Sequence, residues 1–116
     1  MLTTLPPSVK IYVALEATDL RRSVDGLSLL VRETLRLEPF SGHLFLFRNR
    51  RADRLKILVW DRSGFWVLYK RLERGTFAWP LGEGAGPLEM RAVDLMLLLS
   101  GVERGARRRR WYDRAS

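Results

Sequence analysis

The chain has 116 residues, 47% hydrophobic and 29% charged, a balance that describes one globular domain and excludes a disordered polymer. Its net charge of +8 and isoelectric point near 11 favour an anionic partner, with nucleic acid or an acidic protein first. The absence of cysteine excludes disulfides, thiol nucleophiles and zinc–thiolate sites.

In chain order, residues 1–8 are a lead-in in which Pro6 and Pro7 oppose regular structure. No basic region followed by an apolar run marks a secretory signal. The longest aliphatic run, Leu95 to Leu99, falls far short of a bilayer span, so no membrane contact and a cytoplasmic location are expected. Alternation at Val9, Ile11, Val13 and Leu15 predicts a first strand. Thr18 suits a helix N-cap, and Asp19 suits the positive end of the helix dipole. Leu20, Val24, Leu27, Leu30, Val31 and Leu35 then recur at helical spacing, and Pro39 stops the helix.

From His43 onward, short apolar runs rich in aromatic and β-branched residues alternate with polar turns, the pattern of a strand meander. Strands are expected over His43–Arg48, Leu55–Asp61, Phe65–Leu72 and Thr76–Trp79. Asp61-Arg62-Ser63-Gly64 suits a type I turn with Gly64 as a left-handed bulge residue. That loop sets Asp61 against Phe65, Trp60 against Trp66, Leu58 against Leu68 and Lys56 against Lys70. The paired lysines would either hold an anion between them or splay into water, the latter being the commoner outcome. Both faces of this hairpin are largely apolar, so both need cover. Residues 80–87 form a glycine-rich mobile loop that lacks the ending of a phosphate-binding loop. Glu89–Ser100 reads as a helix apolar over much of its circumference, with Gly101 just beyond it.

The chemistry-bearing residues form no catalytic pattern. His43 is the only histidine, and the carboxylates of Asp19, Asp25, Asp53, Asp61, Glu73, Glu89 and Asp94 are scattered rather than spaced to converge on metal ions. No catalytic residue, metal ligand or cofactor is assigned. Most aromatics are expected in the core, with Trp60 and Trp66 as candidates for base stacking. The basic residues cluster in turns and strand ends. Arg50, Arg51, Arg54, Lys56, Arg62, Lys70 and Arg74 are the candidate phosphate-contacting residues. Arg107, Arg108, Arg109 and Arg110 add a like-charge run, read either as a phosphate-attracting tail or as a solubilising one.

Several stretches together carry a resemblance. Pro6-Pro7-Ser8-Val9-Lys10-Ile11-Tyr12-Val13-Ala14, the run from Thr18 to Leu27, and the run from Ser41 to Lys56 are similar to hallmark segments of one family. Trp60-Asp61-Arg62-Ser63-Gly64-Phe65 and the run from Tyr69 to Pro80 extend the match. The chain resembles the TnpB-type (second open reading frame) accessory proteins of the sixty-six family of bacterial insertion sequences. The resemblance covers about Leu5 to Gly101. It implies a role in transposition beside a separate, larger transposase that carries the acidic catalytic residues. It implies no active-site residues for this chain, and the RNA-guided nuclease that shares the TnpB name is a different protein.

The expected fold is α+β: a curved antiparallel sheet of about five strands with two packed helices, counted from the runs above. Residues 1–101 form the domain and 102–116 a basic, flexible tail. The expected function is a non-enzymatic transposition accessory that binds DNA and acts with the transposase. The alternative is a protein–protein adaptor that docks the transposase through an apolar sheet face or the second helix. A nuclease is the third class, and its candidate carboxylates are Asp25 and Asp61. Self-association is left open.

Overall fold

A computed structural model describes Pro6 and residues 8–101. The elements run β1 (Ile11–Val13), α1 (Val24–Glu33), a 3-10 turn (Pro39–Ser41), β2 (Leu44–Arg48), β3 (Arg54–Trp60), β4 (Phe65–Arg71), β5 (Leu88–Met90) and α2 (Ala92–Ser100). The five strands form one open sheet in the order β4-β3-β2-β1-β5. The class is α+β, with the expected five strands and two helices. The sheet is mixed rather than antiparallel throughout, because β1 and β2 pair in parallel, Ile11 with Leu44 and Val13 with Leu46. A strand–helix–strand passage lets the second strand lie parallel to the first, and α1 supplies that crossover.

Each face of the sheet is packed over its central strands, while β4 stays largely exposed. Alternate residues of a strand point to opposite faces. Leu44, Leu46, Leu55, Ile57 and Val59 therefore join one core, completed by Phe77, Trp79 and by Leu95 and Leu98 of α2. Phe45, Phe47 and Leu58 join the other core, completed by Leu27 and Val31 of α1 and by Leu35. Helical spacing of four places those α1 residues on one stripe. α1 is shorter than expected at both ends: it stops at Glu33 rather than near Leu37, with Arg36 at φ of 59° ahead of Pro39, and Thr18 is not its cap. The Thr18 N–H donates to the Arg48 carbonyl at 2.8 Å, which ties this residue to the end of β2. The Asp19 carboxylate accepts from the Arg21 backbone at 3.0 Å and from its guanidinium, a local turn that competes with helix. Asp19 therefore lies ahead of the helix, not at its positive end.

The β3–β4 register differs by one residue from the sequence expectation. Trp60 faces Phe65, Leu58 faces Val67 and Lys56 faces Tyr69. The cause is Asp61, whose carboxylate accepts from Ser63 N–H at 3.4 Å, Gly64 N–H at 3.2 Å and the Trp66 indole at 2.5 Å. These bonds hold a four-residue loop in which Arg62, not Gly64, takes positive φ, at 82°. A shift of one residue moves side chains to the other face. Lys56 and Lys70 therefore lie on opposite faces and do not oppose each other. The Lys56 ammonium donates to the Arg22 carbonyl at 2.8 Å, and the Lys70 ammonium to the Leu99 carbonyl at 2.6 Å.

The fifth strand is also displaced. The Thr76–Trp79 segment is not a strand of the sheet; β5 pairs antiparallel with β1 instead and takes Glu89 and Met90, expected in the second helix, so that α2 starts only at Ala92. Phe77 and Trp79 are still core residues, at 0% and 6% exposure, because burial rather than pairing places them. The Trp79 indole donates to the Ala14 carbonyl at 2.8 Å, which satisfies its one polar atom. The glycine-rich loop is fastened to the end of β1, since Leu15 N–H donates to the Ala85 carbonyl at 2.9 Å. Gly86 has φ of 99°, and a Cβ there would stand 2.9 Å from the Val13 carbonyl oxygen. The lone histidine is structural, as expected: His43 Nδ1 accepts from Lys10 N–H at 2.9 Å.

Phe77→Ala is expected to cost about 3–5 kcal/mol in urea unfolding, the range for a fully buried phenylalanine. Leu81→Ala, at a residue 78% exposed, is expected to stay within about 0.5 kcal/mol.

Candidate nucleic-acid interface

The β2–β3 turn, residues 49–53, is built on one amide side chain. Asn49 Oδ1 accepts from the N–H groups of Asp53 at 3.1 Å and Arg54 at 3.0 Å, while Asn49 Nδ2 donates to the Asp53 carboxylate at 2.7 Å. Ala52 closes the turn with φ of 56°, buried at 8% exposure. Left-handed backbone is costly for alanine and persists only where its surroundings hold it. Two neighbours hold this turn from outside. Phe77 N–H donates to the Ala52 carbonyl at 2.7 Å, and Leu72 N–H donates to the Asp53 carbonyl at 2.8 Å. From within, the half-buried Arg48 guanidinium donates to the Leu15 carbonyl at 3.0 Å.

The turn projects Arg50, Arg51 and Arg54 around an open cleft of about 540 Å³, whose other walls are residues 17–21 and Tyr69. A second cleft, of about 460 Å³, lies on the other side of Arg50 and Arg51 and reaches Trp79 and Gly82. Tyr69 is 54% exposed, so its ring is accessible at the cleft wall. Arg54 also stands directly across from Arg71 of β4. Like charges in that position are destabilising, and the Glu73 carboxylate 3.1 Å from Arg71 offsets part of the repulsion. This pair occupies the place that the sequence reading gave to Lys56 and Lys70.

Three acids near the turn have partners, while Glu16 lines the second cleft with Arg50 and Arg51. Asp53 is bound to the Asn49 amide, Glu73 pairs with Arg71 at 3.1 Å, and Asp19 pairs with Arg21 at 2.6 Å. Among the described residues, no ion pair includes Arg50, Arg51 or Arg54. The Asp19 carboxyl is lowered to about 2, chiefly by its side-chain hydrogen bond to Arg21.

The other candidates are dispersed. Arg74 lies in the turn after β4, at the same end of the sheet but outside both cleft linings. Arg62 caps the β3–β4 hairpin at the opposite end, roughly 25 Å away at about 3.3 Å per strand residue. The basic loops therefore do not converge on one face. Trp60 packs with Phe40 and Phe65, ring centroids 5.0 Å apart in each case. Trp66 is 52% exposed but tied through its indole to Asp61. Arg107 to Arg110 lie outside the described residues. Asn49, Arg21 and Tyr69 are the site residues that sequence reasoning did not assign. The signal for Asn49 was its place at a strand end, since asparagine bonds backbone a few residues on.

Asn49→Ala is expected to lower stability by about 1–3 kcal/mol by leaving turn N–H groups without their acceptor, read by urea unfolding. For Asp19, the folded value lies below the unfolded one, so its contribution is full above pH about 4 and is lost as pH falls toward 2. A side-chain carboxyl NMR titration is expected to place the midpoint near 2 and to move it upward in Arg21→Ala, which removes the guanidinium bond but keeps the backbone one.

Comparison with known proteins follows the same lines. Two curated relatives come from Sinorhizobium fredii, both uncharacterized proteins. The y4hO protein is 40% identical over 96 residues, covering 83% of each chain. The y4jC protein is 38% identical over 95 residues, covering 82% of this chain and 80% of its own. No solved structure matches the chain. Among the described residues, no helix is long and apolar enough to cross a membrane. The family described as IS66 Orf2 like protein matches residues 9–109, nearly the whole chain. The chain therefore belongs to the IS66 Orf2-like family of insertion-sequence proteins, whose setting is transposition.

Proposed function

We propose that the protein is a non-catalytic accessory of transposition that acts with the element's transposase and holds DNA by its phosphates at the β2–β3 turn. The observation that carries this reading is the group of Arg50, Arg51 and Arg54, which form no ion pair among the described residues, around an open cleft with an accessible tyrosine. Arginine forks suit phosphate oxygens, and an exposed ring offers a stacking surface to an unpaired base. Lys56 and Lys70 have structural bonds to carbonyl oxygens and drop out of the contact set. Arg62 and Arg74 are peripheral to it.

A second reading, the adaptor, is narrowed by the fold. Both faces of the central strands are covered, and on the sheet only β4 keeps exposed rings, Trp66 on one face and Tyr69 on the other. The broadest exposed apolar group is on the outer side of α2, where Val93, Met96 and Leu97 are 51%, 56% and 41% exposed. Co-purification with the transposase that is lost in Met96→Lys and kept in the arginine variants favours this reading.

Fluorescence anisotropy with duplex DNA across a salt series tests the first. The wild-type chain is expected to bind with affinity falling steeply as salt rises. The triple variant Arg50→Ala, Arg51→Ala, Arg54→Ala is expected to reduce the log–log salt slope by about 3, at about 0.9 per lost phosphate contact. Arg62→Ala is expected to leave the slope nearly unchanged. An unaltered slope in the triple variant rejects the cleft as the contact.

A further inference from the structure

β4 is a free edge of the sheet and is chemically complementary to itself. It is seven residues long and contains no proline. The pairing of β3 with β4 fixes which backbone groups face outward. Leu72 N–H donates to the Asp53 carbonyl and Asp61 N–H to the Gly64 carbonyl, so the hydrogen-bonded pairs with β3 involve Trp66, Leu68 and Lys70. The N–H and C=O groups of Phe65, Val67, Tyr69 and Arg71 point away from β3. Among the described residues, no other element bonds to them. An edge of this length, without a bulge or proline, is a template for another strand.

We propose that two copies of this chain pair antiparallel through β4, centred on Leu68, and join their sheets into one. Only even registers let outward groups meet outward groups, and the one centred on Leu68 uses the full length of the strand. In it Val67 bonds Tyr69 of the second copy and Phe65 bonds Arg71, each pair occurring twice by the two-fold axis. Leu68 meets its own copy in a non-hydrogen-bonded pair, where side chains are closest. The side chains fit the same register. Trp66 lies opposite Lys70, and Phe65 opposite Arg71, so each cation of one strand meets an aromatic ring of the other. Val67 lies opposite Tyr69, a favourable β-branched and aromatic pair. Shifting the register by two residues toward the C-terminal end sets Leu68 against Lys70 and leaves Trp66 without a cation. Trp66 is pinned by Asp61, and the Lys70 head by the Leu99 carbonyl, so both side chains are ordered before the copies meet. The contact is isologous and closes at two copies. It carries a basic cleft at either end of the joined edge, and it stands whether or not those clefts bind DNA.

Sedimentation equilibrium of the full chain tests the pairing, with twice the 13.5 kDa chain mass expected. Trp66→Lys places like charges opposite each other twice per dimer. It is expected to weaken dimerisation by about tenfold or more. Trp66→Lys with Lys70→Glu restores an opposite-charge pair, and dimerisation is expected to return. The wild-type chain has no cysteine, so a single introduced thiol reports contact between copies. In a glutathione redox buffer, Leu68→Cys is expected to form a covalent dimer while Leu81→Cys does not. A monomer at all concentrations, a dimer indifferent to Trp66→Lys, or a Leu68→Cys chain that links no better than Leu81→Cys overturns the proposal.

Discussion

The structure depends on a sheet that is apolar on both sides. Its central strands place Phe45, Phe47 and Leu58 on one side and Leu44, Leu46, Leu55 and Ile57 on the other. Neither side tolerates water, so each recruits a helix. α1 covers the first side because it crosses between two parallel strands. α2 covers the second, but it is only nine residues long. The shortfall is made up by Phe77 and Trp79, delivered by a segment that belongs to no strand of the sheet. Burial of apolar area is worth about 25 cal/mol per Å² whether or not the backbone pairs, so an irregular segment serves as well as a strand.

That constraint explains what was legible in the sequence. Strands with continuous apolar runs, β2 to β4, were located within about a residue. The two helices and the aromatic core were legible for the same reason. Periodicity reports burial, and burial is what these elements share. It does not report pairing. Thr76–Trp79 has strand-like composition but makes only an isolated bridge at Thr76 while burying Phe77 and Trp79, whereas Leu88–Met90 pairs with β1 over three residues. The parallel pairing of β1 with β2 depends on how α1 packs, which no local pattern states.

The hairpin register shows a finer limit. Asp61-Arg62-Ser63-Gly64 fits more than one loop by its residue types. The choice falls to the Asp61 carboxylate and its bond to Trp66, a side chain beyond the loop. The candidate site was legible as a composition, arginines gathered in turns. Its shape was not, because proximity in sequence placed Arg62 with Arg54, and a seven-residue strand carries them to opposite ends. The three arginines that do gather owe their placement to Asn49 and to bonds from Phe77 and Leu72, which lie beyond the end of β4 and are remote in sequence from the turn.

The left-handed backbone at Ala52 has a further implication. An alanine held at φ of 56° has no local reason to stay there, since the torsion is imposed by Phe77 and by the Asn49 bonds. The loop is therefore not portable. A synthetic peptide spanning residues 48–55, or the same octet spliced into a foreign hairpin, keeps the positive charge and loses the arrangement. The geometry of the arginine display belongs to the whole domain rather than to the segment that bears it.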